Sequence, residues 1–269
     1  MPELPEVETV VQTLKPRLIK ETITAMKILF PKMVKTDSSV FQTKPIGQTI
    51  QDIHRKGKFI IFELDTDVLI FHLRMEGKFF IKKDEPFDKH EHLVLYLSSG
   101  RTLRYHDFRK FGTAHLLPIE TYQEVSPLNQ VGPEPKDTNL HQYYVRIKDS
   151  KRPIKAILLD QTKMSGLGNI YVDETLFQAR IHPERKAVDL KEKEVVNIVL
   201  AAREVLAKAV ALGGTTIRSY TSSLGVHGRF QNELKVHTKA GEPCPVCGTP
   251  IIKIKVTGRG TYVCPKCQK

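Results

Sequence analysis

The sequence predicts an α+β multidomain protein, in which an N-terminal helix and an antiparallel β-sandwich precede a helical domain and a C-terminal four-cysteine β-hairpin. Three observations predict this class. The chain has 269 residues, which is more than one small module needs. Short β-branched and aromatic runs occupy most of its first half, and helical periodicity occupies most of the second. All four cysteines follow these helical patterns, between Cys244 and Cys267.

The N-terminal domain is predicted to be one helix followed by strands. Apolar residues recur at helical spacing over residues 7–18, with two prolines and three glutamates that suit a helix N-terminus. From Ile23 to about Leu117, short runs are separated by turn residues about every ten positions, which indicates an antiparallel sandwich or flattened barrel. The clearest strands are 59–64, 68–73, 78–81, 93–97 and 102–105.

A helical domain is predicted after residues 126–139, which are rich in turn-forming residues. We expect domains at 1–131, 132–234 and 235–269. Helices are predicted at 140–148, 153–161, 169–179 and 190–212, the last ending at Gly213-Gly214. The connection Ser165-Gly-Leu-Gly-Asn169 is glycine-rich, and its backbone amides can hold an anion at the next helix N-terminus.

The charge distribution favours a polyanionic partner. The chain has 42 Lys and Arg against 30 Asp and Glu, a formal net charge of +12. Residues 213–269 contain nine basic and two acidic side chains, so more than half of the net charge lies in this segment. This concentration favours nucleic acid over a basic but inert surface. The longest apolar runs are far shorter than the ~20 residues of a membrane span, and the acidic N-terminus does not resemble a signal peptide. We therefore expect no membrane partner and a cytoplasmic location.

The cysteines form two Cys-x-x-Cys pairs separated by sixteen residues, and this spacing predicts one tetrahedral zinc ion. Iron in a rubredoxin-like site uses similar pairs, and disulfides are the other alternative, which a reducing compartment disfavours. Residues 249–256 and 261–263 read as a β-hairpin too small for a core of its own, so the zinc is structural. The hairpin turn carries Arg259 between two glycines, where a guanidinium suits a phosphate. The four predicted ligands are Cys244, Cys247, Cys264 and Cys267.

Pro2 is a candidate nucleophile if Met1 is removed, as a small second residue generally permits. The mature chain would then begin with a secondary amine, whose reference pKa of about 7.7 to 8.0 leaves an unprotonated fraction near neutrality. Such an amine can attack a carbonyl carbon and form an iminium. The carboxylates of Glu3 and Glu6 raise the pKa of this amine, whereas the helix dipole lowers it. The alternative is that these residues simply begin a helix.

Three motifs together resemble the bacterial formamidopyrimidine-DNA glycosylases, also called 8-oxoguanine DNA glycosylases. They are the opening Pro2-Glu-Leu-Pro-Glu-Val-Glu8, the run Ser165-Gly-Leu-Gly-Asn-Ile-Tyr-Val-Asp-Glu174 and the zinc hairpin with Gly258-Arg-Gly260. The resemblance spans the whole chain. It implies a bifunctional DNA repair enzyme, a glycosylase and abasic-site lyase, with a β-sandwich, a helix-two-turns-helix domain and a zinc finger. Its partner would be double-stranded DNA carrying an oxidised base.

The resemblance also implies roles for individual residues. Pro2 resembles the nucleophile that attacks C1′ of the damaged nucleotide, and Glu3 resembles its acid partner, with Glu6 orienting the amine or the base. Lys58 resembles a lysine that assists β-elimination, although a lysine at a strand entrance is ordinarily solvated. Arg259 resembles the residue that assists δ-elimination and grips phosphate.

DNA-contacting residues follow from the same resemblance. An enzyme that acts on a base must extrude it from the duplex, and wedge side chains fill the space that it leaves. The resemblance assigns this task to three residues, for which the ordinary alternatives are core packing or a surface salt bridge: Met75, Arg109 and Phe111. It assigns backbone-phosphate contacts to His90, Lys155 and Asn169, with Arg109 also bonding the orphaned base. Residues 215–229 resemble a loop that closes over the damaged base.

The related endonuclease VIII branch prefers oxidised pyrimidines and typically has glycine where this chain has Leu4. The resemblance therefore favours oxidised purines as substrates. A non-catalytic zinc-containing nucleic-acid binder is the competing class, because charge and zinc are compatible with both. We expect a monomer acting on DNA in the nucleoid.

Overall fold

The computed structural model describes residues 1–215 and 228–269, and the chain divides into two compact units. The first unit comprises Met1–Asn129 with the described residues of Gly213–Gly228. The second comprises Gln130–Leu212 and Arg229–Lys269, so the zinc hairpin belongs to the same unit as the helical domain. The bounds of the three domains expected above remain predictions.

Helix α1 spans Leu4–Leu18, so it begins among the prolines and glutamates that were predicted to form its N-terminus. Glu3 and Glu6 form a capping box at its N-terminus, which satisfies backbone N–H groups that the helix itself leaves unpaired. One face of α1 is buried, and Val7, Val11 and Leu14 join the core of the first unit. The reactive groups proposed at Glu3 and Glu6 therefore lie on a helix start fixed by both capping and packing.

The first unit contains two antiparallel four-stranded sheets, as the sandwich prediction requires. The first sheet has the order β1-β6-β7-β5 and the second has the order β2-β3-β4-β8. Aromatic side chains of four strands meet in the core, with ring centroids of Phe71 and Phe79 5.1 Å apart. The strands are β1 Ile23–Ile28, β2 Asp52–Lys56, β3 Phe59–Glu63, β4 Asp67–His72, β5 Lys78–Lys82, β6 Glu91–Leu97, β7 Thr102–His106 and β8 Thr113–Pro118.

Three of these strands were not individually predicted, namely β1, β2 and β8, and all three lie at sheet edges. Edge strands carry more charged and polar residues, which discourage pairing with other chains and weaken the alternating pattern. In β2, for example, Ile53 is the one fully buried residue. A short helix, α2 at Ser38–Thr43, was also missed. Its N-cap is Asp37, whose side chain accepts the N–H groups of Ser39 and Val40.

The second unit contains four helices and the C-terminal hairpin, in agreement with the predicted fold class. Helix α4 is shorter than the predicted 153–161, because a turn follows it in which the Asp160 side chain accepts the Thr162 N–H. No helix within residues 1–215 and 228–269 is long and apolar enough to cross a membrane. The elements are α3 Leu140–Ile147, α4 Ile154–Leu158, α5 Asn169–Gln178, α6 Glu192–Ala211, β9 Ile252–Val256 and β10 Arg259–Val263.

A pH dependence of stability is expected from Glu21, which links the end of α1 to the β6–β7 turn. Burial raises the pKa of this carboxyl, but hydrogen bonds from Ser99, Arg101 and Ser98 outweigh burial and lower it to about 2. Because the folded pKa lies below the unfolded one, the stabilisation is complete above the unfolded pKa and is lost as the pH falls. We expect the urea midpoints of the wild type and Glu21→Gln to differ most at neutral pH and to converge towards about pH 2. Glu120→Gln, at an exposed position, is the matched control and should show no such convergence.

Candidate functional site

The N-terminal turn buries the residues proposed for catalysis. Pro2 is buried, and Glu3 and Glu6 are 2% and 4% exposed. One oxygen of Glu6, Oε2, accepts the Glu3 backbone N–H at 2.8 Å. The other, Oε1, accepts the backbone N–H of Thr215 at 2.7 Å and its hydroxyl at 3.1 Å. Glu6 therefore holds the backbone next to Pro2 against residue 215.

Position 214, beside the Glu6 carboxylate, requires glycine. Gly214 has a φ of +75°, and a Cβ built on it would lie 2.6 Å from Glu6 Oε1. Thr215 is the last described residue before position 228, so most of the loop predicted at 215–229 lies outside the described residues. Within the described residues, Thr215 is held by its two hydrogen bonds to Glu6.

Lys58 lies in the turn between β2 and β3 and is only 4% exposed, contrary to the ordinary expectation of a solvated strand lysine. Its charge acts on His72, at the end of β4. Burial lowers the pKa of His72 to about 3, and the positive charges of Arg74 and Lys58 contribute to the same direction. His72 is therefore neutral, and its Nδ1 accepts the Arg74 N–H at 3.0 Å. The sequence analysis did not identify His72, because only the folded sheet places it near Lys58.

The three predicted wedge residues lie at the surface of the first unit and not in its core. Met75 is 36% exposed and Phe111 is 52% exposed. The guanidinium of Arg109 lies 4.9 Å from the centroid of the Phe111 ring, which is a cation–π contact and not a salt bridge. Phe108, which was not predicted as a wedge residue, is 65% exposed and directly precedes Arg109 in the sequence. Exposed apolar side chains of this size are typical of a binding surface.

Asp107 shapes the loop that carries two of the wedge residues. It is fully buried, and its Oδ1 accepts the Arg109 N–H at 3.0 Å. Its Oδ2 accepts the N–H groups of Phe111 and Gly112 at 2.9 and 2.8 Å. One carboxylate thus fixes three backbone groups of a tight turn in which Lys110 has a φ of +58°. Sequence reasoning missed Asp107, since its hydrogen bonds depend on the folded loop.

His90 lies beside this loop, with its ring centroid 4.7 Å from that of Phe108 and 5.6 Å from that of His106. Its Nδ1 is buried and has no hydrogen-bond partner within the part of the chain that the structure describes. The His90 side chain as a whole is half-buried at the edge of the loop that carries Arg109 and Phe111. Its contact with a backbone phosphate stays a prediction.

Two predicted phosphate contacts in the second unit lie together. Asn169, the first residue of α5, donates from Nδ2 to the Gly260 carbonyl at 2.9 Å, and its buried Oδ1 has no partner among the described residues. Arg259 precedes that glycine and is exposed. With Arg152 and Thr257, Arg259 lines a cavity of about 460 Å³. The Asn169–Gly260 hydrogen bond thus links the start of α5 to the hairpin strand that carries Arg259.

Lys155 was also predicted to contact a phosphate, and its position does not support this role. Its side chain is fully buried, and Nζ lies 2.6 Å from Oδ1 of Asp173, which is also fully buried. A phosphate contact needs an ammonium that solvent or DNA can reach. Lys155 instead contacts the interior of the helical domain.

The four cysteines converge as a metal site requires. Their sulfurs all lie within 4.8 Å of one another, with Cys244 and Cys267 3.9 Å apart and Cys247 and Cys264 3.5 Å apart. Zn–S bonds of about 2.3 Å in a tetrahedron place sulfurs about 3.8 Å apart, so these residues fit zinc. All four are free thiols, and the disulfide alternative is therefore wrong.

Comparison with known proteins identifies the family. The family model described as "Formamidopyrimidine-DNA glycosylase N-terminal domain" matches residues 1–114, and the model of the H2TH domain of the same family matches residues 131–221. A third model, "Zinc finger found in FPG and IleRS", matches residues 241–269. The chain belongs to the formamidopyrimidine-DNA glycosylase family. A family member from Oceanobacillus iheyensis is 50% identical over all of this chain and 98% of its own length, and one from Streptococcus mutans is 46% identical over the full length of both.

Solved structures of the family have the same fold as this chain. The complex between the Lactococcus lactis Fpg and abasic-site DNA has a TM-score of 0.93 and 42% identity, with both chains covered completely. A complex of a variant of that protein with Fapy-dG DNA has a TM-score of 0.94 and 43% identity over the same coverage. Membership confirms the predicted fold class, the enzyme class of DNA glycosylase and abasic-site lyase, and one structural zinc ion in place of iron. The competing class, a non-catalytic binder, is excluded.

Proposed function

We propose that the chain excises oxidised purines, 8-oxoguanine and formamidopyrimidines, from double-stranded DNA through a Schiff base at Pro2. It then cleaves the abasic strand by β,δ-elimination. The observation that carries the proposal is the buried start of α1, where Pro2 precedes a capping box of two carboxylates. Leu4, where the endonuclease VIII branch has glycine, supports purine substrates, as do the Fapy-dG complexes of the Lactococcus lactis relative.

Excision begins after removal of Met1, when Pro2 carries a secondary amine. Its lone pair attacks C1′ of the extruded nucleotide, the glycosidic bond breaks, and the base leaves with the bonding electrons and takes up a proton. Glu3 gives a proton to the ring oxygen as the C1′–O4′ bond opens, and an iminium joins Pro2 to the sugar. Glu6, held between the Glu3 N–H and Thr215, orients this segment.

Strand cleavage follows from the iminium, which acidifies the C2′ protons. Lys58 assists the removal of a C2′ proton, and the electrons expel the 3′ phosphate. Arg259 assists the second elimination, which expels the 5′ phosphate, and its guanidinium neutralises charge on that leaving group. Lys58 is 4% exposed in the β2–β3 turn, and this burial restricts the positions that its side chain can take.

Base extrusion uses the exposed wedge residues. Met75 and Phe111 replace stacking that is lost when the nucleotide leaves the duplex, and Arg109 hydrogen-bonds the orphaned partner base. His90, half-buried beside Phe108, and Asn169, in the N-terminal turn of α5, bind backbone phosphates. The protein acts on duplex DNA as a monomer, in the cytoplasm at the nucleoid, where its net charge of +12 favours the polyanion.

Substitution of Asp107 should separate extrusion from the later chemistry. In Asp107→Asn, an amide NH2 group replaces one carboxylate oxygen. The backbone N–H groups that this oxygen accepted, in the loop that carries Arg109 and Phe111, then lose their acceptor. We expect the single-turnover excision of 8-oxoguanine from duplex DNA to fall about tenfold. Cleavage of a preformed abasic site, which costs less to extrude, should fall much less. The exposed substitution Asp149→Asn is the control, and an equal loss in both reactions would contradict a specific role in extrusion.

Covalent trapping tests the proposed function itself. The purified protein is incubated with duplex DNA that contains 8-oxoguanine opposite cytosine, and borohydride is then added to reduce any iminium. We expect a protein–DNA adduct whose N-terminal peptide begins at Pro2 and carries the sugar. Adduct formation on undamaged DNA of the same sequence is the background. If no adduct forms with protein that lacks Met1, the Schiff-base proposal is wrong.

A further inference from the structure

A buried ion pair in the second unit has no part in the chemistry described above. The Lys155 ammonium and the Asp173 carboxylate lie 2.6 Å apart, and neither side chain is exposed to solvent. Charges at this depth are costly unless they are paired and all of their hydrogen-bonding groups are used. The remaining contacts of the pair therefore indicate what it holds in place.

Two further contacts of the pair are to the hairpin strand β10. The second oxygen of Asp173 accepts the Tyr262 backbone N–H at 3.3 Å and His237 Nδ1 at 2.7 Å. Lys155 Nζ donates to the Gly260 carbonyl at 3.4 Å, and Asn169 donates to the same carbonyl at 2.9 Å. The ion pair is thus bonded to the backbone of two β10 residues.

The register explains why these two residues are contacted. Gly260 and Tyr262 are two positions apart, so their backbone polar groups point to the same edge of the strand. Among the residues that the structure describes, β10 pairs with β9 alone, and its other edge has no neighbouring strand. Side chains of the helical domain therefore supply the hydrogen bonds that a third strand would supply.

The neighbouring carboxylate secures the chain that enters the hairpin. Glu174, 4% exposed, accepts the backbone N–H groups of Lys235, Val236 and His237 at 2.8, 3.0 and 2.9 Å. Consecutive acidic residues of α5 thus hold both the entry to the hairpin and its second strand. This attachment is separate from the zinc ligands.

We propose that Lys155 and Asp173 are positioning residues that hold the open edge of β10 and thereby fix Arg259, one residue before Gly260, for its role in strand cleavage. The proposal rests on the role proposed for Arg259 in δ-elimination. In this proposal, Lys155 contacts Asp173 inside the second unit and does not make the phosphate contact that was predicted for it. Loss of either partner leaves a buried charge uncompensated, whereas loss of both charges does not.

The test compares Lys155→Met, Asp173→Asn and the double variant, all as full-length zinc-loaded protein. A duplex with one abasic site is cleaved under single-turnover conditions, and the ratio of δ- to β-elimination products is measured. Borohydride trapping by Pro2 and zinc content are measured on the same samples. The slope of log Kd against log salt concentration is determined for each variant, with Lys193→Met as a control for the loss of one exposed lysine of the same unit.

We expect Asp173→Asn and Lys155→Met each to lower the δ-to-β product ratio about tenfold or more, because Arg259 is displaced, while trapping and zinc content are retained. The double variant should recover only part of this loss, because it leaves no unpaired buried charge but cannot donate to the Gly260 carbonyl. Its salt slope should also match that of the wild type.

Two outcomes would overturn the proposal. If Asp173→Asn leaves the product ratio unchanged, the ion pair does not position Arg259. If the double variant remains as defective as Lys155→Met and its salt slope is smaller by about 0.9, Lys155 itself contacts a phosphate. Failure of the proposed function is distinguishable from both, because the wild type would then give no trapped adduct.

Discussion

Pro2→Gly is expected to reduce borohydride trapping on 8-oxoguanine DNA by about 100-fold, with a similar loss of base excision. Glycine at position 2 still permits removal of Met1, so the variant also has a free terminal amine. The difference is chemical and conformational. A proline iminium has no N–H proton to lose and remains cationic, whereas an imine from glycine is neutral unless protonated. Glycine also lacks the pyrrolidine ring, which restricts rotation about the N–Cα bond and so orients the nitrogen lone pair.

The controls for this prediction separate chemistry from folding. Pro86→Gly changes the same residue type in an exposed segment and should trap like the wild type. DNA affinity of Pro2→Gly should remain close to that of the wild type, because no phosphate or wedge contact is altered. Equal adduct yields from Pro2→Gly and the wild type, or an adduct that still carries Met1, would exclude the proline amine as the nucleophile.

Removal of zinc is expected to lower the affinity for lesion DNA at least about tenfold. The hairpin has little core of its own, since the apolar cluster around it consists of Phe177, Val236, Ile251 and two of the zinc cysteines. Structural zinc contributes an apparent ~10 kcal/mol or more to the folding of such small units. Without the ion, the hairpin that carries Arg259 loses its support, and the phosphate contact proposed for Arg259 should be lost with it.

The measurement is a titration of DNA binding before and after treatment with a chelator, with the released zinc quantified by a metal-sensitive dye. Cys264→Ser, which removes one fully buried ligand, should reproduce the effect without a chelator. Added zinc should restore the chelated protein but not the variant. Unchanged affinity after complete zinc release would show that the hairpin does not contribute to DNA binding.

Much of the architecture could be predicted because its signals are local. Helical spacing identified α1 and α6, and the central strands of both sheets had clear apolar patterns. Three of the four edge strands of these sheets, β1, β2 and β8, were missed because their polar residues resemble loops. The zinc site was predicted from two cysteine pairs, since each pair supplies two ligands within one turn of chain. The site residues of the N-terminus were assigned by resemblance, and their catalytic roles remain proposals.

The amino-acid sequence by itself determined the fold class, the zinc ligands and the family, because periodicity and motif spacing act over a few residues at a time. Only the tertiary structure decided that Lys58 is buried, that Asp107 shapes the wedge loop and that Lys155 pairs with Asp173. Those contacts join residues on different elements, such as Asp173 and His237, which are 64 positions apart. A side chain acquires its burial, its charge partner and its hydrogen bonds from neighbours that folding brings together, and no local pattern specifies them.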